Sequence, residues 1–283
     1  MSANPVTGST RTPKGDPTVA TLLTWFVPGS GHLLLGDIPV ALLGLAIVGG
    51  LYALGLSLSK GMTFEYLDPE LRGALAPLLS PEAGNLGGWI WQLRNFGYGP
   101  GHPRLFPDTV RLGSALCALS GVANAVLMVH ANLYARTGSR RASWRPAALV
   151  GCAWALPGLG HFLQGRRLRA AIVFGLLVGL FAVGTLLADA SNLSRERHFY
   201  YWAGQFLLGL PALVSEAVLG STRVTGPIPY AEAGLVYGCV AGLLNVLAMI
   251  DVYGWAEAQV LGLDPHRRGG QREDTPPGAQ AAR

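Results

Sequence analysis

Two histidines, His32 and His161, are the residues of this sequence best suited to chemistry, because imidazole can bind a metal or shuttle a proton near neutral pH. Each follows a Pro-Gly-x-Gly string, and neither has a cysteine or an acid immediately beside it. Two histidines alone make a poor metal site, since zinc takes three or four protein ligands. We therefore expect both to cap a broken helix and satisfy its freed carbonyl groups. We predict no catalytic residue, no metal and no cofactor.

Further polar candidates lie late in long apolar segments, with Asn124 and His130 in one segment and Asn245 and Asp251 in another. A buried Asn commonly joins membrane helices through hydrogen bonds worth on the order of 1 kcal/mol. Six residues turn a helix by about 600°, so Asn245 and Asp251 should face different neighbours. Asp251 lies near a helix end and could simply reach water. Alternatively it is buried and pairs with His130 or His161, which would mark a functional site.

The histidine motifs belong to an internal repeat. Residues 25–36 read W-F-V-P-G-S-G-H-L-L-L-G and residues 154–165 read W-A-L-P-G-L-G-H-F-L-Q-G, identical at seven of twelve positions and offset by 129. A second pair, 121–130 and 242–251, is offset by 121 and ends on His130 or Asp251. The motif residues are Pro28, Gly29, Gly31, His32 and Gly36, and then Pro157, Gly158, Gly160, His161 and Gly165. Such self-similarity predicts a duplicated unit.

Composition places the chain in a membrane. Half of its 283 residues are hydrophobic and only 13% are charged, whereas soluble domains carry about a quarter charged residues. The net charge of +5 comes from arginines clustered between apolar runs, which is typical of cytoplasmic loops and argues against nucleic-acid binding. Cys117, Cys152 and Cys239 show no metal or redox spacing and are expected to act as small apolar residues. Membrane lipid is therefore the expected partner, and a protein partner or a homo-oligomer is possible.

Apolar segments of about 20 residues can span a bilayer. They occur at 38–58, 108–134, 168–188 and 229–255, and 201–220 either spans as a fifth or lies at the interface. The fold class predicted is an all-α integral membrane protein. It contains two tandem repeats of a broken or re-entrant helix plus two transmembrane helices, with interfacial segments.

The motif segments 18–36 and 147–165 are too short to span unbroken. About ten apolar residues rise about 15 Å, half of the hydrocarbon core, before Pro and Gly interrupt the helix. Each segment is either a kinked span or a re-entrant hairpin. Arginines lie both before and after the second segment, at Arg140 and Arg167 for example, which favours a hairpin that returns to one side.

These segments give a domain plan. We expect a disordered tail at 1–17, a first repeat at 18–137 with an extracytoplasmic insert at 59–107, a second repeat at 138–258, and a disordered basic tail at 259–283. The expected location is the bacterial cytoplasmic membrane. The loop 136–145 and both termini should be cytoplasmic, because basic loops remain on that side.

The Pro-Gly-x-Gly-His string followed by an apolar helix resembles the two-transmembrane-domain family. Gly31, His32 and Gly36 match its motif in the first half, and Gly160, His161, Phe162 and Gly165 match in the second. By that resemblance Asp251 is the family's late-helix acid, and His130 replaces it in the first half. The family's Arg-Phe-Tyr core is missing from both copies. The sequence is also similar to uncharacterised bacterial multi-pass proteins with paired motifs, and these resemblances imply a fold and a membrane location without a reaction.

Three functions remain compatible with the sequence. The first is a non-enzymatic scaffold or a protein that binds lipid or a partner. The second is a small transporter or channel with paired broken helices, because duplicated halves with interrupted helices are typical of transporters. The third is an intramembrane enzyme that uses its histidines. We expect the chain not to be an enzyme.

Overall fold

The computed structural model describes residues 13–66, 79–96, 105–220 and 226–265, and all regular structure in these ranges is helical. The helices are α1 Pro17–Phe26, α2 Ser30–Leu34, α3 Ile38–Ser59, α4 Leu86–Asn95, α5 Val110–Thr137, α6 Arg140–Ala155, α7 Leu159–Leu163, α8 Arg167–Leu187, α9 Phe199–Phe206, α10 Leu210–Leu219 and α11 Ala231–Leu261. Most of the two predicted tails and part of the insert 59–107 lie outside the described residues.

Within the described ranges, four helices are long and apolar enough to span a membrane, namely α3, α5, α8 and α11. They coincide to within a few residues with the four apolar segments predicted from the sequence, although α11 continues to Leu261, into the predicted tail. The fifth candidate, 201–220, consists of α9 and α10, separated at Gly209, whose φ is 80°. Neither piece has the length of about 20 residues that a span requires.

Local sequence determines where the first motif helix begins and ends. Asp16 caps α1, its Oδ1 accepting hydrogen bonds from the amides of Thr18 at 2.7 Å and Val19 at 3.0 Å. The helix ends at Phe26 because Val27 precedes a proline, which disfavours the helical conformation for that residue. Gly29 then adopts a φ of 85°, in the left-handed region where a side chain would be strained.

The chain reverses direction within the first broken element, residues 17–36. At its start, the backbone amide of Lys14 donates to the carbonyl of Ala135 near the end of α5. About eleven residues deeper, or roughly 16 Å along α5, the carbonyl of Thr24 accepts a hydrogen bond from Asn124. After the turn, Leu35 packs beside Ala20 and against the end of α5 again.

The second broken element, residues 140–165, has the same design. Gly158 has a φ of 83° and Gly165 has a φ of 80°, matching Gly29 and Gly36. Gly160 lies against the Leu149 carbonyl and Val252, where an added Cβ would come within 3.0 Å of both. The element therefore also turns back along the closing helix of its own repeat, which is α11.

Small residues let the long helices of each repeat pack closely. Gly55 of α3 lies against Gly113 of α5, and Gly184 of α8 lies against Gly234 of α11, each with room for no side chain. In α3 the residues Leu45–Gly49 form a π-helical turn. The helices in each pair are antiparallel.

The two repeats point in the same direction. Arg136 near the end of α5 forms an ion pair with Glu257 near the end of α11, and Tyr253 Oη approaches Asn132 Oδ1 at 3.5 Å. Both Gly-His loops therefore lie at one end of the helix bundle, which we call the histidine end; the opposite end is the far end. Among the described residues, eight basic side chains belong to the histidine end and five to the far end. Those of the histidine end are Lys14, Arg136, Arg140, Arg141, Arg145, Arg166, Arg167 and Arg169, and those of the far end are Lys60, Arg94, Arg111, Arg195 and Arg197.

Candidate functional site

In the first repeat the two histidines bond to each other. His32 Nε2 lies 2.8 Å from His130 Nδ1, and His130 Nε2 lies 3.3 Å from the carbonyl oxygen of Arg140. A carbonyl can only accept, so His130 Nε2 carries the proton and its neutral Nδ1 accepts from His32 Nε2. Both imidazoles are fully buried, and Trp144 packs against His130 with ring centroids 4.0 Å apart. His32 Nδ1 is buried and has no hydrogen-bond partner among the residues that the structure describes.

In the second repeat an acid replaces the second histidine. His161 Nε2 lies 3.1 Å from Asp251 Oδ2, which also accepts from Arg166 at 2.6 Å and Arg169 at 3.2 Å. His161 is buried, whereas the Asp251 side chain is 44% exposed. The predicted pairing of Asp251 with His161 is therefore present, but the prediction that Asp251 is buried is wrong: its carboxylate lies at the surface, where two arginines balance its charge.

The groups around His32 and around His161, which we call the two histidine centres, carry their charges in opposite arrangements. Asp37 occupies the position equivalent to Arg166, given the repeat offset of 129, and His130 occupies the position equivalent to Asp251. Asp37 is buried, and its Oδ2 lies 3.4 Å from Arg140 Nε. The acid thus comes from the loop in the first repeat and from the closing helix in the second, and each centre keeps an acid beside a base.

The two asparagines make equivalent contacts. Asn124 Nδ2 donates to the carbonyl oxygens of Thr24 at 2.9 Å and Gly84 at 3.0 Å. Asn245 Nδ2 donates to those of Ala153 at 3.2 Å and Leu207 at 2.9 Å. Thr24 and Ala153 differ by the same 129 residues as the histidine motifs. Each amide thus ties the last turn of a motif helix to the connecting segment of its repeat.

The motif glycines provide close backbone approaches. A Cβ on Gly29 would lie 2.3 Å from the Ala41 carbonyl oxygen, and one on Gly158 would lie 2.4 Å from that of Ala170. A Cβ added to Gly31 would likewise come too close to the carbonyl oxygen of Ala20. Gly36 and Gly165 have positive φ in open space. Pro28 and Pro157 occupy the breaks themselves, between the two short helices of each motif.

Each Gly-His loop thus bonds to the closing helix of its own repeat. Each histidine uses one ring nitrogen, Nε2, for the hydrogen bond that holds its loop against this helix. Among the residues that the structure describes, no three His, Cys, Asp or Glu side chains are grouped as metal ligands would be.

Sequence reasoning missed a buried ion pair at the far end. Arg195 Nη2 donates to Glu82 Oε1 at 2.7 Å, and the two side chains are 2% and 0% exposed. The Arg195 guanidinium lies 4.1 Å from the centre of the Trp202 ring and 5.7 Å from that of Tyr66. Burial raises the pKa of Tyr66 to about 12, so its hydroxyl stays protonated and neutral beside the guanidinium. The pair joins the connecting segments of the two repeats. A contact between two separate segments cannot be predicted from the residue pattern within either one.

Sequence reasoning also missed an apolar groove of about 350 Å³ at the junction of the repeats. Its walls come from α3, α5 and α6, and small residues at Gly44, Ala123 and Gly151 make room for it. The lining residues are Val40, Leu43, Gly44, Ile47, Val48, Leu119, Val122, Ala123, Val126, Leu127, Trp144, Gly151, Trp154 and Ala155. Leu43 and Ile47 are about half exposed, so the groove opens on the outer surface of the helix bundle.

The fold and the two histidine centres together define a class of protein: in the part of the chain that the structure describes, all regular structure is helical and four apolar helices are long enough to span a membrane. The sequence model of a family of unknown function, DUF6677, matches this chain over residues 19–140 and 147–264. These segments cover most of the chain, so the chain belongs to that family, and they confirm the internal repeat predicted from the sequence. No curated protein and no solved structure matches the chain.

Proposed function

We propose that this chain is a non-enzymatic, multi-pass protein of the bacterial cytoplasmic membrane that binds membrane lipid. The observation that carries the proposal is the groove between α3, α5 and α6, whose lining is apolar along its whole length. A groove of this chemistry on the surface of a membrane-spanning bundle favours an acyl chain over a polar solute. For that reason we place lipid binding above the transporter alternative.

The histidine centres support a role in structure. Each imidazole uses Nε2 to bond to the closing helix, as an element that holds a broken helix in place would do. Backbone that departs from helical geometry at membrane depth is tolerated only where it is buried in protein or lines a water-filled cavity, and His32 and His161 are buried at these turns. We therefore assign them to the stability of the two loops rather than to a reaction.

We further propose that both broken elements are re-entrant from the cytoplasmic side. The contacts of Lys14 and Leu35 with the same end of α5 support a segment that enters and returns. The basic residues of the histidine end support a cytoplasmic orientation of that end and of both termini, by the positive-inside rule.

Lipid retention tests the proposed function. The full chain is purified in mild detergent, and bound phospholipids are counted by native mass spectrometry. Gly151→Leu should reduce retained lipid severalfold, because a Cβ there meets only Val126, at 3.5 Å, and the longer side chain would fill the groove. Gly175→Leu is the matched control, since a Cβ at Gly175 on α8 meets nothing within 4 Å. Equal lipid retention in both variants would disprove the groove as a lipid site.

Cysteine labelling tests the orientation. Single cysteines at Ser139 and Gln164, in a background without Cys117, Cys152 and Cys239, should react with an impermeant maleimide only after the cytoplasmic face is exposed. Labelling of the two sites from opposite faces would rule out the re-entrant arrangement of the second element.

A further inference from the structure

The groove and a basic rim lie on the same face of α6. Trp144, Gly151 and Ala155 line the groove at the spacing of one helical stripe. Continuing that stripe one turn towards the N-terminus leads to Arg140 and Arg141, which lie on either side of it. The apolar wall therefore ends at two cationic side chains, in the order that the tail and headgroup of a lipid would require.

The two arginines are not equivalent. Arg140 lies 3.4 Å from buried Asp37 and is therefore partly neutralised. Arg141 is exposed and forms no ion pair with any residue that the structure describes. Trp144 lines the groove at the end nearest to these arginines and is 37% exposed, and an aromatic ring at this level suits the boundary between headgroups and acyl chains. Arg141 is thus a cation available to a ligand that occupies the groove.

The length of the groove corresponds to one leaflet. The helical rise from Trp144 to Ala155 is about 16 Å, close to half of a hydrocarbon core of about 30 Å. A chain lying along this wall would therefore extend from the headgroup level to the middle of the bilayer. That depth fits an acyl chain of one leaflet, and the basic end assigns it to the leaflet that the histidine end faces.

We propose that the groove selects an anionic phospholipid, with one acyl chain along α6 and the lipid phosphate at Arg141. This inference rests on the proposed lipid-binding function and adds the chemistry of the headgroup. Each basic residue near an anionic membrane surface contributes about 1 kcal/mol of attraction, which is about fivefold in affinity.

The experiment uses the full chain in nanodiscs that contain phosphatidylcholine and phosphatidylglycerol in equal amounts. Native mass spectrometry then gives the ratio of the two lipids retained after release. Arg141→Gln should lower the preference for phosphatidylglycerol about fivefold while total retained lipid changes little. Arg167→Gln, which removes an exposed charge from the same end but away from the groove, should leave the preference unchanged.

The outcomes separate the two proposals. If Arg141→Gln and Arg167→Gln behave alike while Gly151→Leu still loses lipid, the headgroup assignment is wrong and lipid binding stands. If the unaltered chain retains no lipid, both proposals are wrong. If Gly151→Leu instead converts a dimer to a monomer in the same spectra, the groove is an interface between copies of the chain, and the lipid assignment is overturned.

Discussion

At the scale of single residues, the two histidine centres both supply an acceptor for a buried imidazole, but their charged groups are arranged in opposite ways. A buried imidazole that closes a broken helix needs an acceptor for its Nε2 proton. His32 finds the acceptor in His130, whereas His161 finds it in Asp251. The neighbouring loop position carries Asp37 in one repeat and Arg166 in the other, so the acid and the base change places together. In the second repeat the acid and the base at these positions form an ion pair, whereas in the first repeat Asp37 forms its ion pair with Arg140.

The exchange of charges predicts a coupling between Arg166 and Asp251. Arg166→Asp places two carboxylates together, and Asp251→His removes the acceptor of two arginines, so each change alone should lower the thermal unfolding temperature. The double variant recreates the arrangement of the first repeat and should recover part of the loss. Because Asp251 is partly exposed, we expect a coupling of about 1 kcal/mol.

Thermal unfolding in detergent measures that coupling through a double-mutant cycle. The control cycle combines Arg167→Asp with Asp251→His, since Arg167 is not among the arginines that bond to Asp251. Additive effects in the first cycle, as expected in the control, would contradict the pairing.

At the scale of elements, each Gly-His loop depends on a turn that only glycine fits. Gly29 and Gly158 combine a positive φ with a backbone carbonyl of the following helix where a side chain would lie. Gly36 and Gly165 have the same sign of φ but face open space. The first pair sets how closely the loop packs on α3 or α8, and the second pair only reverses the chain.

Alanine substitutions should separate these two roles. Gly36→Ala should cost about 1–2 kcal/mol of stability, the penalty of the left-handed conformation alone. Gly29→Ala should cost clearly more, because the added Cβ would lie 2.3 Å from the Ala41 carbonyl oxygen and the backbone would have to move. Unfolding temperature and the yield of monodisperse protein in detergent report the difference. Similar losses for the two variants would show that packing against α3 does not limit the turn.

At the scale of the whole molecule, the repeats are joined at both ends. Arg136 and Glu257 connect the closing helices α5 and α11 at the histidine end, and Arg195 and Glu82 join the connecting segments of the two repeats at the far end. Between these ends, Trp154 of the second broken element packs in one cluster with Ala118 of α5. The duplicated halves therefore form one body rather than two tethered ones.

The far-end ion pair should be the stronger link. Glu82→Gln leaves the Arg195 charge buried without its carboxylate, and breaking such a pair typically costs about 3–5 kcal/mol. Glu196→Gln is the control, because its ion pair with Arg111 is exposed and should contribute less than about 1 kcal/mol. Denaturation in detergent compares the variants. Equal stability of the two would show that Arg195 finds another partner or water when Glu82 is neutral.

The sequence by itself determined the features that depend on local chemistry. Span length follows from the number of consecutive apolar residues, so α3, α5, α8 and α11 were predictable. The duplication was also predictable, because the sequence identity between the two halves is visible in the amino-acid sequence. The breaks at Pro28 and Pro157 were predictable because proline restricts the backbone wherever it occurs. The helical turn between Asn245 and Asp251 also predicted that they face different neighbours.

Only the tertiary structure decided which atoms meet. His32 could have paired with many groups, and its partner is His130, 98 residues away, because α2 turns back against the end of α5. Arg195 and Glu82 come together only when the two repeats dock, and the groove beside Trp144 exists only where three helices leave a gap. Pairing and cavities depend on how the surfaces of separate helices fit together, and no pattern within one helix contains that information.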